Sequence, residues 1–134
     1  MKNTIVDEWL KAAASDLAVI DSISDRVDLT HMVAFHAQQC IEKCLKAVIE
    51  HYELAVPKTH SLDRLFQLLS EGMDLEDIPL TQEMIDLLDD LYIDARYPGE
   101  MGLLPDGLPS KEQAANMDRA ARVCHLFFSE KLKR

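Results

Sequence analysis

The apolar positions of the segment Ala34 to Ile49 fall on two sides of one helix, with a narrow polar stripe between them. Val33, Ala37, Cys40, Cys44 and Val48 recur at steps of four and three, and Ala34, Ile41, Leu45 and Tyr52 form a second row beside them. A helix that is apolar on two sides needs partners on both, so the pattern predicts the central rod of a bundle, running to about Tyr52. His36, Gln39, Lys43, Lys46 and Glu50 spiral along the polar stripe at three- and four-residue steps. Neighbours at that spacing touch, which puts Gln39 within reach of Lys43 and, one row over, Glu42 within reach of Lys46.

The same periodicity organises the rest of the chain. Val6, Leu10, Ala13, Leu17 and Ile20, with Trp9 beside them, predict an amphipathic outer helix from about Thr4 to Ile23, followed by a turn at Asp25 to Asp28 and a local cap at Thr30. Pro57 ends the connection after the central helix. Ser61 and Asp63 then start a shorter helix carrying Leu62, Leu65, Phe66 and Leu69, which Gly72 stops. Met73 to Leu80 reads as loop. Thr81 opens a fourth helix with Met84, Leu88, Leu91 and Ala95 inward, and Pro98 and Gly99 close it. A loop from Gly99 to Pro109 leads to Ser110 and Gln113, a capping-box pair, and to a last helix striped by Ala114, Met117, Ala121, Cys124 and Phe128.

Composition agrees with this all-α reading. Only four glycines and five prolines interrupt 134 residues, and no segment alternates as a strand would. That length suits one domain, 1–134, with a core that needs no staple. No segment reaches the roughly 18 to 20 apolar residues of a membrane span, and Asp7 and Glu8 so close behind Lys2 do not make a signal peptide. Three cysteines, two of them one turn apart, form no disulfide framework, so a reducing, cytoplasmic location is expected. His36, Cys40 and Cys44 share a helix face, but no second ligand cluster completes a metal site; the expectation is core thiols, with no metal and no cofactor.

Charge limits the partners. With 24 acidic against 14 basic residues the net charge is −10, which opposes a protein whose whole surface coats nucleic acid and leaves room for a local basic groove. The acid concentrates between Asp74 and Asp94, where Glu83, Asp86, Asp90 and Asp94 step along one face, a solvated outer surface. The stripe of His36, Gln39, Lys43 and Lys46 has two readings. It is either a solvated helix face, or a groove or self-association surface whose donors suit an anionic ligand or a partner's carbonyls and carboxylates.

Three segments in this order, AFHAQQCIEKCLKAVI in the central helix, Lys58-Thr59-His60-Ser61-Leu62 after it, and Ala95-Arg96-Tyr97-Pro98 later, resemble the HEPN domain, named for higher eukaryotes and prokaryotes nucleotide-binding. The resemblance spans nearly the whole chain. It implies a bundle of about five helices and a homodimer, often encoded beside a small nucleotidyltransferase and sometimes acting in toxin and antitoxin pairs. The stripe and these segments together give an expected ligand-binding set of His36, Gln39, Lys43, Lys58, His60, Arg96 and Tyr97, contacting a nucleotide, an RNA or a partner nucleotidyltransferase; the structural alternative is that His60 bonds backbone groups at a helix start, Arg96 complements the dipole at a helix C-terminus and Tyr97 packs its ring. A scaffold that binds other proteins without any ligand is a further reading from another class.

Many members of that family carry an Arg followed after four to six residues by His as a metal-independent ribonuclease site. Here no histidine follows Arg96 until His125. Arg26 with His31 and Arg119 with His125 fit the bare spacing. The first lies at an interhelix turn, and the second is about 240° apart around one helix, so neither predicts catalysis. A cleavage site requires a base near the 2′-hydroxyl and a cation on the phosphate. His36 or His60 with Arg96 is the combination that would supply them.

Overall fold

The computed structural model describes residues 2–72, 77–96 and 107–133, with side chains described for 3–72, 77–92 and 107–133. Five helices account for most of them: α1 (Lys2–Ile23), α2 (Thr30–His51), α3 (Leu62–Ser70), α4 (Gln82–Arg96) and α5 (Lys111–Lys131), with one turn of 3₁₀ helix at Val27–Leu29. No strand occurs among the described residues. α2 is the axis. Ala34, Ala37, Cys40, Ile41, Cys44, Leu45, Ala47, Val48 and Ile49 are all at 0% exposure, covered by α1, α3, α4 and α5 of the same chain. The two-sided apolar pattern is thus satisfied within one chain, and α2 leaves no apolar face for a second copy to cover.

Local chemistry sets the ends of the elements. The Ser61 hydroxyl accepts from the Arg64 amide at the start of α3, Thr81 does the same for Met84 at α4, and Ser110 and Gln113 form a full capping box at α5. α2 ends in a Schellman turn, the Leu54 amide reaching the Ile49 carbonyl and the Glu53 amide that of Glu50, with Glu53 held at φ 59° where glycine is the usual occupant.

Three expectations change. Thr30 caps nothing: it is the first residue of α2, and its hydroxyl donates over 2.7 Å to the carbonyl of Pro109, tying the start of α2 to the approach to α5. α4 turns Ile85, Leu88 and Tyr92 into the core and leaves Met84 and Leu91 half-buried; the side chain of Ala95 lies outside the described residues. Gln39 does not meet Lys43, because each finds a closer partner described below.

Candidate functional site

Two polar clusters interrupt the otherwise apolar packing around α2. In the first, Asp16 of α1, 6% exposed, receives Lys43 Nζ at 2.7 Å and His36 Nδ1 at 2.9 Å. A carboxylate so far from water needs such partners, and both come from the face of α2 that packs on α1. In the second, Glu42, 3% exposed, receives Lys46 Nζ at 3.0 Å and the Nδ1–H of His60 at 3.1 Å. Gln39 donates to Glu42 and to the Gln38 side-chain carbonyl, while Gln38 donates to the backbone carbonyl of His60 and anchors the chain ahead of α3. Glu42 is therefore a buried hub with a cation on one side and an imidazole on the other.

His60 is the exposed end of that hub. Its side chain is 51% exposed although its Nδ1 is fixed, which leaves Nε2 as the ring nitrogen free to meet a ligand. The ring stacks on Tyr92 of α4 at 5.4 Å, and Tyr92 stacks on Phe35 of α2 at 5.3 Å with planes 9° apart. His60, Ser61, Asp89 and Tyr92 line a cleft of about 170 Å³. Asp89 holds its floor by accepting the Leu62 amide at 2.9 Å and the Asp63 amide at 3.1 Å, a cap on α3 supplied from α4.

The site residues expected from the sequence divide accordingly. His36, Gln39 and Lys43 are engaged in the two internal clusters. Lys58 is exposed on the connection between α2 and α3, two residues before His60, and has no ion-pair partner among the described residues. Arg96 is the last residue of α4; its side chain, and Tyr97 altogether, lie outside the described residues. Asp16, Gln38, Asp89 and Tyr92 were not anticipated. Asp16 and Gln38 did carry a signal, each being a polar residue set within an apolar row, Ala13-Asp16-Ile20 in α1 and Ala34-Gln38-Ile41 in α2.

In neither of the two Arg and His pairs at ribonuclease spacing does the arginine meet its histidine, and Arg26, Arg119 and His125 are tied elsewhere. Arg26 forks onto Asp28 at 2.8 and 2.9 Å, and that bond draws the Asp28 carboxyl below its usual range. Arg119 donates to Asn116, while His125 Nε2 lies 3.1 Å from the Leu10 carbonyl. The thiols are core groups: Cys40, Cys44 and Cys124 are buried and free, burial with the neighbouring Cys40 pushes the Cys124 thiol up to about 12, and the Cys40 hydrogen bond with burial raises Cys44 as well. No cluster of three or more metal-ligating side chains occurs among the described residues, and no helix among them is long and apolar enough to cross a membrane.

No curated protein and no solved structure matched the chain. The HEPN domain model matches residues 6–130, most of the sequence and all five helices in whole or large part. The chain belongs to the HEPN domain family.

Proposed function

We propose that this HEPN domain is a homodimeric binding module that contacts a nucleotide, an RNA or a partner nucleotidyltransferase through the surface around His60, without cleaving what it binds. One observation carries the reading: the cations of α2 are spent on buried carboxylates, Lys43 on Asp16 and Lys46 on Glu42, whereas His60 stands exposed on the Tyr92 cleft and Lys58, two residues before it in the chain, is exposed as well. A lysine ammonium and an imidazole edge suit phosphate oxygens, and they give a local exception to an acidic surface. Arg96, at the end of the helix that carries Tyr92, adds a third cation to the proposed set. A toxin and antitoxin pair with a nucleotidyltransferase is the setting the resemblance suggests for such a module.

A fluorescently labelled single-stranded RNA oligonucleotide, titrated at several salt concentrations, tests this. Binding is expected to weaken with salt, and Lys58→Ala to lower affinity and flatten the log–log slope by about 0.7, the loss of one phosphate contact on a single strand. RNA recovered intact is expected throughout. No binding by wild type, or binding untouched by Lys58→Ala and His60→Ala, overturns the reading.

The ribonuclease alternative draws on the bond from Glu42 to His60. A carboxylate on Nδ1 orients an imidazole so that Nε2 can take a proton from a 2′-hydroxyl. RNA cleavage abolished by His60→Ala in the same experiment would establish that alternative.

A further inference from the structure

Glu8, Trp9 and Ala12 lie three, four and seven residues after Ile5 along α1, the spacing of a single helix face. This stripe borders the face that α1 buries, which runs through Val6, Ala13 and Ile20, all at 0% exposure; Ile5 and Glu8 are exposed, while Trp9 packs in part against the core at the edge between the two. α1 runs antiparallel to α2, with Asp16 against Lys43 and Trp9 against Lys46, so the opening turns of α1 lie beside the last turn of α2. There Thr4, Ile5, Glu8, Trp9, Ala12 and Glu50 line an open groove of about 430 Å³. Its floor is apolar and its two charges are both negative.

Neither carboxylate is neutralised. Glu8 and Glu50 have no ion pair or hydrogen bond from their side chains among the described residues. Lys46, whose ammonium lies 5.6 Å from the Trp9 ring centre, is committed to Glu42. Glu50 is half-buried and sits in the last turn of α2, where the carbonyl end of the helix dipole opposes a negative charge. A cation delivered to this groove therefore meets two unpaired carboxylates and the negative end of a helix at once.

We propose that this groove docks a basic amphipathic helix of a partner protein, its apolar side chains seated along Ile5, Trp9 and Ala12 and its lysines or arginines on Glu8 and Glu50. A ridge at helical spacing accepts side chains from another helix, and the described residues offer no sheet edge to which an extended segment would add. The carboxylates exclude a nucleic acid from the same place. The groove shares no residue with the His60 cleft, so this proposal stands or falls separately from the binding function proposed above.

Trp9 is the single tryptophan of the chain, so its emission reports on the groove alone. The probe is a synthetic peptide of about four helical turns with leucines on one face and lysines elsewhere, compared with the same peptide carrying glutamates for lysines. The lysine peptide is expected to shift Trp9 emission saturably and the glutamate peptide to leave it unchanged. Glu8→Lys and Glu50→Lys are each expected to weaken the lysine peptide about tenfold or more and to admit the glutamate peptide. Glu8 is exposed, so its reversal keeps the test valid if the half-buried Glu50 position does not tolerate lysine. No saturable shift, equal shifts with both peptides, or Trp9 emission that changes on dilution of the peptide-free protein, which marks a second copy in the groove, would overturn the proposal.

Discussion

Glu42 is the residue on which the candidate site turns. It is almost fully buried, its charge is balanced by Lys46, and it holds the half-exposed histidine that stacks on Tyr92. Removing one member of a buried pair leaves the other charge uncompensated, whereas removing both does not. Lys46→Met is accordingly expected to destabilise the fold by about 3 kcal/mol in urea denaturation, and adding Glu42→Leu to recover most of that loss. A Lys46→Met protein as stable as wild type would show that Glu42 is not held as a charge. The pairing of Glu42 with Lys46 was legible in the sequence, because positions four apart on a helix meet whatever the fold. The bonds from Asp16 to Lys43 and from Glu42 to His60 were not, since they join residues 27 and 18 positions apart that only packing brings together. Lys43 therefore read as a surface donor when it is an internal one.

The elements were read more accurately than the contacts. The capping box at Ser110 and Gln113 and the caps at Ser61 and Thr81 are short-range bonds, complete within a few residues, and they appear where the sequence places them. Thr30 has the right residue type for a cap but gives its hydroxyl to Pro109, a partner 79 residues away. The inward face of α4 was read only in part for a similar reason: Leu88 is buried and Met84 and Leu91 pack half-buried against the core, but Ile85 and Tyr92 were missed. Its apolar positions, Met84, Ile85, Leu87, Leu88, Leu91 and Tyr92, are too dense for periodicity to choose one stripe, and packing against α2 and α3 selects Ile85, Leu88 and Tyr92. That rotation matters, because it brings Tyr92 beneath His60. At the end of α2 the left-handed conformation of Glu53 carries a side-chain penalty that glycine avoids. Glu53→Gly is expected to raise stability by up to about 1 kcal/mol, visible as a higher melting temperature. A lower one would mean that the Glu53 side chain contributes more than its backbone costs.

At the scale of the whole molecule, the all-helical architecture follows from composition and period, while the surfaces available to partners do not. The apolar doubling of α2 calls for partners on two sides, and the other helices of the same chain supply them, leaving only Tyr52 of the two rows exposed. Exposed apolar side chains gather instead on α5, where Leu126 is 64% and Val123 44% exposed beside Phe127 and Pro79. For the proposed dimer this patch is the expected contact. Light scattering over a dilution series should give a dimer that Leu126→Glu converts to monomer, and a wild-type monomer at micromolar concentration would refute it. The ligand surface is the more central matter, because a net charge of −10 makes any anion-binding site a local one. The most direct measurement is an NMR titration of the five histidine rings with a single-stranded RNA oligonucleotide. The His60 ring signals, Nε2 above all, are expected to shift with saturation while those of His36, bound to Asp16, stay in place. Shifts at His36 with none at His60, or no shift at any ring, would contradict the placement of the binding surface at the Glu42-held histidine.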